Sequence, residues 1–325
     1  MERNIWIRRW IAVLAAAALC LSGMGFAAAE EAPLPELPEG VRPVTWEVSP
    51  DHLMIETEEA RALYEQITAG DYPTMEELKE NPVVKQLDAL SAYYKALYGN
   101  TAEINTPGRT ALRNELKAWF LTLGSARAEQ IDADGNAHYA AVPDGELKKE
   151  FKMEIVLGLP ASGKSTRIAN PDSNAMNAFI LDPDMIKEQI PEYRESHGAG
   201  ADAIHFEGMD IFNDSLEAFL TGDMKGTNVV LPIVITDTNE LLEKYIRPFE
   251  EAGYTVKIRY CYAEPNAAAA RVVMRELGGG QLINSMVAFE YCRGVEKVWD
   301  EVKVMTNTSG EPYGFEEDDA AVPAA

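Results

Sequence analysis

The chain has 325 residues, of which 46% are hydrophobic and 25% are charged, so it can bury the core of one large domain or two modest ones. Its formal net charge of −24 argues against a general nucleic-acid binder, which needs a basic surface to displace counterions from phosphates. An anionic ligand must therefore be held by a local cluster of Lys, Arg and backbone amides, against the mean field of the protein.

The N-terminal segment has the organisation of an export signal. Three arginines precede an apolar run at 11–21, and small residues at 27–29 stand before Glu30. We therefore predict a signal peptide at 1–29 and a secreted or cell-envelope protein. The alternative is an uncleaved membrane anchor, because residues 11–29 are nearly as long as the roughly 20 residues that cross a bilayer. The protein would contact a membrane only in that case.

Helical signals dominate the first half of the mature chain. A linker at 30–43, rich in Pro and Glu, leads into a helical accessory region that we place at 44–150. Thr74 opens a capping-box sequence, and apolar residues then recur at helical spacing until Gly99. Thr106-Pro107 is typical of a further helix start. We predict that this bundle packs on the domain that follows.

From Lys152 onward, strand and helix patterns alternate. The strands are predicted at 153–157, 178–181, 228–235 and 255–262. Helical segments at 211–219 and 241–251 lie between them. This alternation predicts a three-layer α/β fold, a parallel sheet with helices on both faces, at 151–305. Ligands of such sheets bind at the carboxyl ends of the strands. The acidic tail at 306–325 is predicted to be disordered.

Two cysteines lie outside the N-terminal segment, Cys261 and Cys292. Export would permit a disulfide between them, but their spacing matches no metal or redox motif. We predict two buried free thiols.

A glycine-rich loop directly after the first predicted strand fits the Walker A pattern G-x-x-x-x-G-K-[ST]. The predicted nucleotide-binding residues are Gly158, Leu159, Pro160, Ala161, Ser162, Gly163, Lys164, Ser165 and Thr166. Glycines let backbone amides surround phosphate oxygens, and the following helix adds its positive N-terminal end. Lys164 is expected to reach the β- and γ-phosphates, and Ser165 to ligate a metal ion. The motif therefore predicts that the α/β fold is of the P-loop NTPase type and that ATP and Mg²⁺ are its cofactors.

Two aspartates, Asp182 and Asp184, follow the second predicted strand. A kinase needs a group that accepts the proton of the attacking hydroxyl, and a carboxylate at this edge of the sheet can do so. Asp184 is the candidate for this role. The alternative is that Asp184 caps a helix starting at Met185.

From Ile155 to about Val302, nearly half of the chain, the sequence resembles the zeta-toxin family of P-loop kinases, whose studied members phosphorylate UDP-N-acetylglucosamine. The resemblance rests on the glycine loop, Ile180–Ile186, Ile190–Tyr193, Ala252–Tyr254, Ala263–Pro265, and Arg271 and Arg275 ahead of a glycine stretch. It implies a kinase that transfers the γ-phosphate of ATP to an alcohol of UDP-N-acetylglucosamine, and an antitoxin protein as partner.

The resemblance also implies roles for single residues. Asp184 matches the catalytic aspartate of the family, and Arg271 and Arg275 fall where the family places phosphate-contacting arginines. Spaced by four, the two arginines share a helix face, and a guanidinium can neutralise charge on a transferred phosphoryl group. Arg275 is the favoured one of the pair, and two solvated surface arginines are the alternative. His205 and Glu207 match positions that approach substrate in the family, although residues at a helix start are more often plain surface residues.

Two departures from the family pattern bear on catalysis. Residues 232–234 contain no carboxylate at the expected strand end, and Asp237 could replace it only if the strand runs longer. Gln281 stands where a basic residue is expected after the glycines. Three alternatives therefore stay open. They are a kinase with another acceptor such as a nucleoside or antibiotic, a nucleotide-binding regulator without catalysis, and an envelope interaction protein whose helical region carries the function.

Overall fold

The computed structural model describes residues 33–122, 143, 145–307 and 309–318. The predicted signal peptide, and the membrane anchor that is its alternative, lie outside these ranges. Among the residues described, none of the helices combines the length and the apolar character needed to span a bilayer.

The described part of the accessory region contains four α-helices and a 3₁₀ turn at Thr101–Glu103. The α-helices are α1 (Glu58–Thr68), α2 (Met75–Glu80), α3 (Pro82–Tyr98) and α4 (Pro107–Thr122). The capping box before α2 is confirmed, because the Thr74 hydroxyl accepts from the amide of Glu77 and the Glu77 carboxylate accepts from the amide of Thr74. The predicted ends are confirmed as well, since α3 stops at Gly99, whose φ is +68°, and α4 begins with its proline.

The α/β part is built on one sheet of five parallel strands in the order β2-β3-β1-β4-β5. The strands are β1 (Lys152–Gly158), β2 (Phe179–Ile180), β3 (Val229–Ile233), β4 (Thr255–Cys261) and β5 (Gly314–Asp318). Every residue of β3 is buried, as expected for a strand covered on both faces. The predicted parallel α/β fold is confirmed, with four of its strands at the predicted places.

The fifth strand corrects the prediction of a disordered tail. Gly314 to Asp318 add to the outer side of β4, with Gly314 opposite Lys257 and Asp318 opposite Cys261. Acidic composition predicts disorder because it offers little apolar surface to bury. An edge strand needs mainly the backbone hydrogen bonds of its neighbour and tolerates charge. The prediction is therefore wrong for this segment, while residues 319–325 lie outside the described part.

Seven helices of the α/β part connect the strands or flank the sheet in the described ranges. The helix after the glycine loop, α5, starts as a π-helical turn (Lys164–Ala169) and continues as Asn170–Met176. The next are α6 (Pro183–Lys187), α7 (Pro191–Glu195) and α8 (Ala201–Thr221). Then α9 comprises Thr238–Glu240, Leu241–Ile246 and Arg247–Glu251, followed by α10 (Pro265–Gly279) and α11 (Ser285–Val302).

The accessory helices and the α/β part share one hydrophobic core. Phe120 of α4 packs edge-on against Phe179 of β2 and Phe212 of α8, with ring centroids 5.7 and 6.1 Å apart. The predicted packing of the helical region on the following domain is confirmed. Cys261 and Cys292 are both buried thiols that are not joined in a disulfide, as predicted.

Candidate active site

The glycine loop follows β1, the central strand of the sheet. Gly158 ends this strand so close to β4 that a Cβ there would lie 2.8 Å from the carbonyl oxygen of Cys261. Within the loop, Ala161 and Gly163 have φ angles of +54° and +87°. A positive φ is costly for alanine and is found preferentially where a site imposes it. The loop is therefore held in a tight, specific shape at the carboxyl end of β1.

The loop presents donors that match phosphate oxygens. Lys164 donates from Nζ to the carbonyl oxygens of Gly158, at 3.1 Å, and Leu159, at 2.8 Å. The Ser162 side chain is buried, and its hydroxyl has no hydrogen-bond partner within the described part of the chain. The first amides of α5 also lack intrahelical partners and lie at the positive end of the helix dipole. These donors fit a nucleoside triphosphate.

Charged groups at the start of α6 and on α10 lie near Lys164. Burial and, to a smaller extent, Arg275 lower the pKa of Lys164 to about 8, while Asp182 and Asp184 act in the opposite direction. A polyphosphate bound to the loop would favour the charged ammonium, because it adds negative charge beside it. At the start of α5, Ser165 is exposed.

Asp182 and Asp184 have different roles in the structure. Helix α6 begins at Pro183, and Asp182 caps it by accepting the amide of Asp184 on Oδ1 at 3.0 Å. The alternative that Asp184 caps a helix starting at Met185 is therefore wrong. Burial and the charge of Asp184 raise the pKa of Asp182 to about 6. The carboxylate of Asp184 is left to interact with other side chains.

The Asp184 carboxylate is held by cations and one amide. Lys187 Nζ lies 2.9 Å from Oδ1, and the Gln281 side chain also donates to the carboxylate. Burial acts to raise the pKa of Asp184, but Lys187 and Arg275 outweigh it and lower the pKa well below its usual range. Asp184 is thus ionised at neutral pH. Gln281, a departure from the family pattern, contacts the same carboxylate that the pattern marks as catalytic.

The two arginines of α10 lie in different surroundings. Arg275 is close enough to Lys164 and Asp184 to shift both of their pKa values. Arg271 is buried and donates from Nη2 to the Tyr72 hydroxyl at 2.8 Å, with its guanidinium 5.0 Å from the Tyr72 ring centroid. The structure therefore brings Arg275 to the glycine loop and holds Arg271 against the accessory region.

Backbone contacts with the accessory region also hold α10. The amide of Met54 donates to the carbonyl of Leu277 at 2.6 Å, and the amide of Met75 donates to the side chain of Asn266 at 3.1 Å. With the Tyr72 contact, these bonds reach both ends and the middle of α10. The accessory region therefore braces the helix that carries Arg275.

His205 and Glu207 both lie on α8 but face different neighbours. Burial lowers the pKa of His205 to about 4, and the charges of Lys187 and Asp184 also act on it, so His205 is a neutral residue beside the site. Glu207 is 1% exposed and binds Arg109 and Arg113 of α4, so it anchors the accessory region. We did not predict either arginine. Their spacing by four on one helix is the only signal in the sequence.

Asp237 does not extend the site as the longer-strand alternative requires. Strand β3 ends at Ile233, and Asp237 is an exposed residue that caps α9 by accepting the amide of Glu240 at 2.9 Å. That alternative is wrong, because the chain leaves the sheet before Asp237.

Comparison with known proteins gives a family and several similar solved structures. The family model described as Zeta toxin matches residues 145–310, just over half of the chain. One structure comes from the PezAT chromosomal toxin–antitoxin system of Streptococcus pneumoniae. It is 16% identical, with 53% of this chain and 64% of that chain covered and a TM-score of 0.36.

Two AvrRxo1-ORF1:AvrRxo1-ORF2 structures are also similar. The one with ATP is 16% identical, covers 65% of this chain and 63% of that chain, and has a TM-score of 0.40. The one with sulphate ions is 16% identical, with 55% of this chain and 52% of that chain covered, and has a TM-score of 0.35. The match thus spans less than two thirds of each neighbouring chain. Comparison with curated proteins gives no match. The family-model match shows that this chain belongs to the zeta toxin family of P-loop kinases.

Proposed function

We propose that the protein transfers the γ-phosphate of ATP to a hydroxyl of UDP-N-acetylglucosamine. One observation carries the proposal: Lys164 of the glycine loop, Asp184 after β2 and Arg275 of α10 lie close together, since Arg275 acts on the pKa of both Lys164 and Asp184. A phosphate site, a carboxylate and a guanidinium are the groups that phosphoryl transfer to an alcohol requires.

Each group has a role in this proposal. The loop amides and Lys164 hold the phosphates, and Ser165 holds Mg²⁺, which neutralises phosphate charge when bound. Asp184 accepts the proton of the acceptor hydroxyl while the hydroxyl oxygen bonds to the γ-phosphorus. The bond between the γ-phosphorus and the β–γ bridging oxygen breaks at the same time, and ADP leaves. Arg275 neutralises charge on the transferred group. Positioning and electrostatics supply most of the rate enhancement.

Two further features are part of the proposal. Membership of the toxin family supports an antitoxin protein as partner, and the N-terminal sequence supports export to the cell envelope or beyond. A second candidate function is nucleotide binding without transfer. It is favoured by the Asp184 carboxylate, which Lys187 and Gln281 already engage, and by the lack of a carboxylate at the end of β3.

Mass spectrometry of UDP-N-acetylglucosamine incubated with ATP, Mg²⁺ and the purified protein tests the proposal. We expect a gain of one phosphate on the sugar nucleotide, and no gain with Lys164→Ala, which removes the ammonium at the phosphates. Bound ATP without any product would support the non-catalytic alternative. A product on a nucleoside or an antibiotic, but not on UDP-N-acetylglucosamine, would replace the acceptor and keep the kinase.

The two arginines of α10 are expected to differ in their effect on catalysis. Arg275→Ala should lower kcat by about 10²–10³-fold, the usual cost of losing one donor that stabilises transition-state charge. Arg271→Ala is the matched control on the same helix, and its kcat should fall less than tenfold, because Arg271 contacts Tyr72 rather than the loop. Steady-state kinetics of both variants measures this. Equal losses would instead mean that Arg271 matters to the transfer as much as Arg275 does.

A further inference from the structure

Lys187 is an unusual residue for the interior of a protein. It ends α6 and is only 6% exposed, although lysine is rarely buried unless its charge is paired. Its pairing is specific, because the ammonium lies 2.9 Å from Oδ1 of Asp184, one turn earlier on the same helix. The salt bridge therefore joins a buried cation to the carboxylate that we propose as the base.

The neighbouring helix α8 is shaped to accept this lysine. A Cβ at Gly208 would lie 2.5 Å from Cγ of Lys187, far inside van der Waals contact. The close atom belongs to the stem of the side chain, so a larger residue at this position must displace the lysine or the helix. Gly208 thus makes the room in which the aliphatic part of Lys187 packs.

We infer that Lys187 is a positioning residue of the phosphoryl transfer, which fixes the Asp184 carboxylate toward the acceptor, and that Gly208 preserves its place. This inference rests on the proposed function, in which Asp184 accepts the acceptor proton. One oxygen of Asp184 is bound by Lys187. Together with the bond that Gln281 donates to the same carboxylate, this keeps the side chain in one orientation, as proton transfer over a short distance requires.

The charges around Asp184 set the direction of the pH effect. Two charged groups of its own segment lie near Asp184, namely Lys187 and Asp182. Four titratable groups of other elements also lie near it: Lys164, Arg275, His205 and Tyr193. His205 is neutral above a pKa of about 4, so it adds no charge near pH 7. Lys187 and Arg275 are the cations that lower the pKa of Asp184 most, against a burial effect that raises it. Removing Lys187 leaves the burial effect less opposed, and the pKa of Asp184 must rise.

The test is the pH–rate profile of Lys187→Met, a variant that keeps the length of the stem and removes the charge. Because the pKa of Asp184 is lowered in the wild type, the acid limb that reports protonation of Asp184 should appear only at low pH in the wild-type profile. In Lys187→Met the acid limb should move to higher pH by about 1–3 units, the usual effect of one opposite charge at this distance. Its plateau kcat should fall by up to about 10²-fold because the carboxylate loses its orientation. The KM for ATP should stay close to the wild-type value.

Three further variants make this result specific. Lys187→Arg retains a cation and should restore part of both effects. Gly208→Ala displaces the lysine without removing it and should shift the acid limb in the same direction by a smaller amount. Lys244→Met removes an exposed lysine that pairs with Glu240 and should behave as wild type. A folded Lys187→Met with the wild-type acid limb and plateau would overturn the inference. If that variant does not fold, a wild-type profile for Gly208→Ala would do the same.

A second readout separates this inference from the proposed function. Absence of transfer by the wild type to every acceptor tested would defeat the kinase proposal, whatever Lys187 does. The ¹³C carboxyl resonance of Asp184, identified by its absence from Asp184→Asn, titrates without turnover. We expect it to titrate at higher pH in Lys187→Met than in the wild type. Identical titration in the two proteins would overturn the role of Lys187 by itself.

Discussion

Asp184→Asn is expected to lower kcat for phosphoryl transfer by about 10²–10⁴-fold, the range that general base catalysis contributes. The amide oxygen of asparagine can still accept the hydrogen bond from Lys187, so the buried lysine keeps a partner. What the variant loses is the negative charge and the ability to take up a proton. We therefore expect a nearly unchanged affinity for ATP and a lower thermal midpoint, because the buried Lys187 ammonium loses its opposite charge. Single-turnover kinetics, isothermal titration calorimetry and thermal unfolding measure the three quantities.

Asp237→Asn is the matched control for this variant. Asp237 caps α9, and asparagine caps helices about as well as aspartate, so the local structure is preserved. It also tests whether Asp237 serves as the carboxylate after β3, and the kcat of Asp237→Asn should equal that of the wild type. A kcat for Asp184→Asn within tenfold of the wild type, with ATP bound normally, would remove Asp184 from the proton transfer.

The sequence was sufficient for the parts of the fold that depend on local patterns. β1 and the loop after it follow from an apolar run and from glycines whose backbone geometry other residues cannot easily adopt. The ends of α3 and α4 follow from Gly99 and Pro107, which act through their own backbone restrictions. The position of Asp184 at the strand edge follows in turn, because the carboxyl ends of parallel strands meet at one edge.

The rest depends on contacts between residues distant in the chain. Lys187 appears in the sequence as an ordinary helix-terminal lysine, and only the approach of α8 at Gly208 shows that it is buried. The difference between Arg271 and Arg275 is set by Tyr72 of the accessory region. Strand β5 forms because β4 offers an open edge, which the composition of the tail does not encode. No local pattern contains this information.

The accessory region is attached to the site by a buried ion cluster. Arg109 of α4 donates to both carboxylate oxygens of Glu207 on α8, and from Nη1 to Glu192 of α7 at 2.7 Å. Arg113 adds a bond of 2.7 Å to Glu207. Glu207 is 1% exposed, so its charge depends on these partners. The cluster also fixes α8, the helix that carries Gly208 against Lys187.

Arg109→Met should lower the free energy of unfolding by roughly 3–5 kcal/mol, the cost of breaking a buried ion pair by removing one partner. Methionine fills similar space, so the loss reflects the carboxylates left behind more than a cavity. Urea unfolding followed by tryptophan fluorescence measures it. The matched control is Arg247→Met, which removes an exposed arginine paired with Glu243 and should change stability by no more than about 0.5 kcal/mol.

The pH dependence of unfolding gives the sign of the Glu207 contribution. Burial acts to raise the pKa of Glu207, but Arg109 and Arg113 outweigh it and lower the pKa. A carboxyl group with a lowered pKa stabilises the fold above its unfolded pKa, and that stability is lost as the pH falls through the folded value. The wild type should therefore lose stability on acidification below about pH 4.3, the usual pKa of a free glutamate. Arg109→Met should lose less stability over the same range, because the Glu207 charge stabilises this variant less at neutral pH.

Equal stability of Arg109→Met and Arg247→Met at pH 7 would mean that the cluster does not hold α4 on α8. The shared apolar core, centred on Phe120, would then have to hold the two parts together.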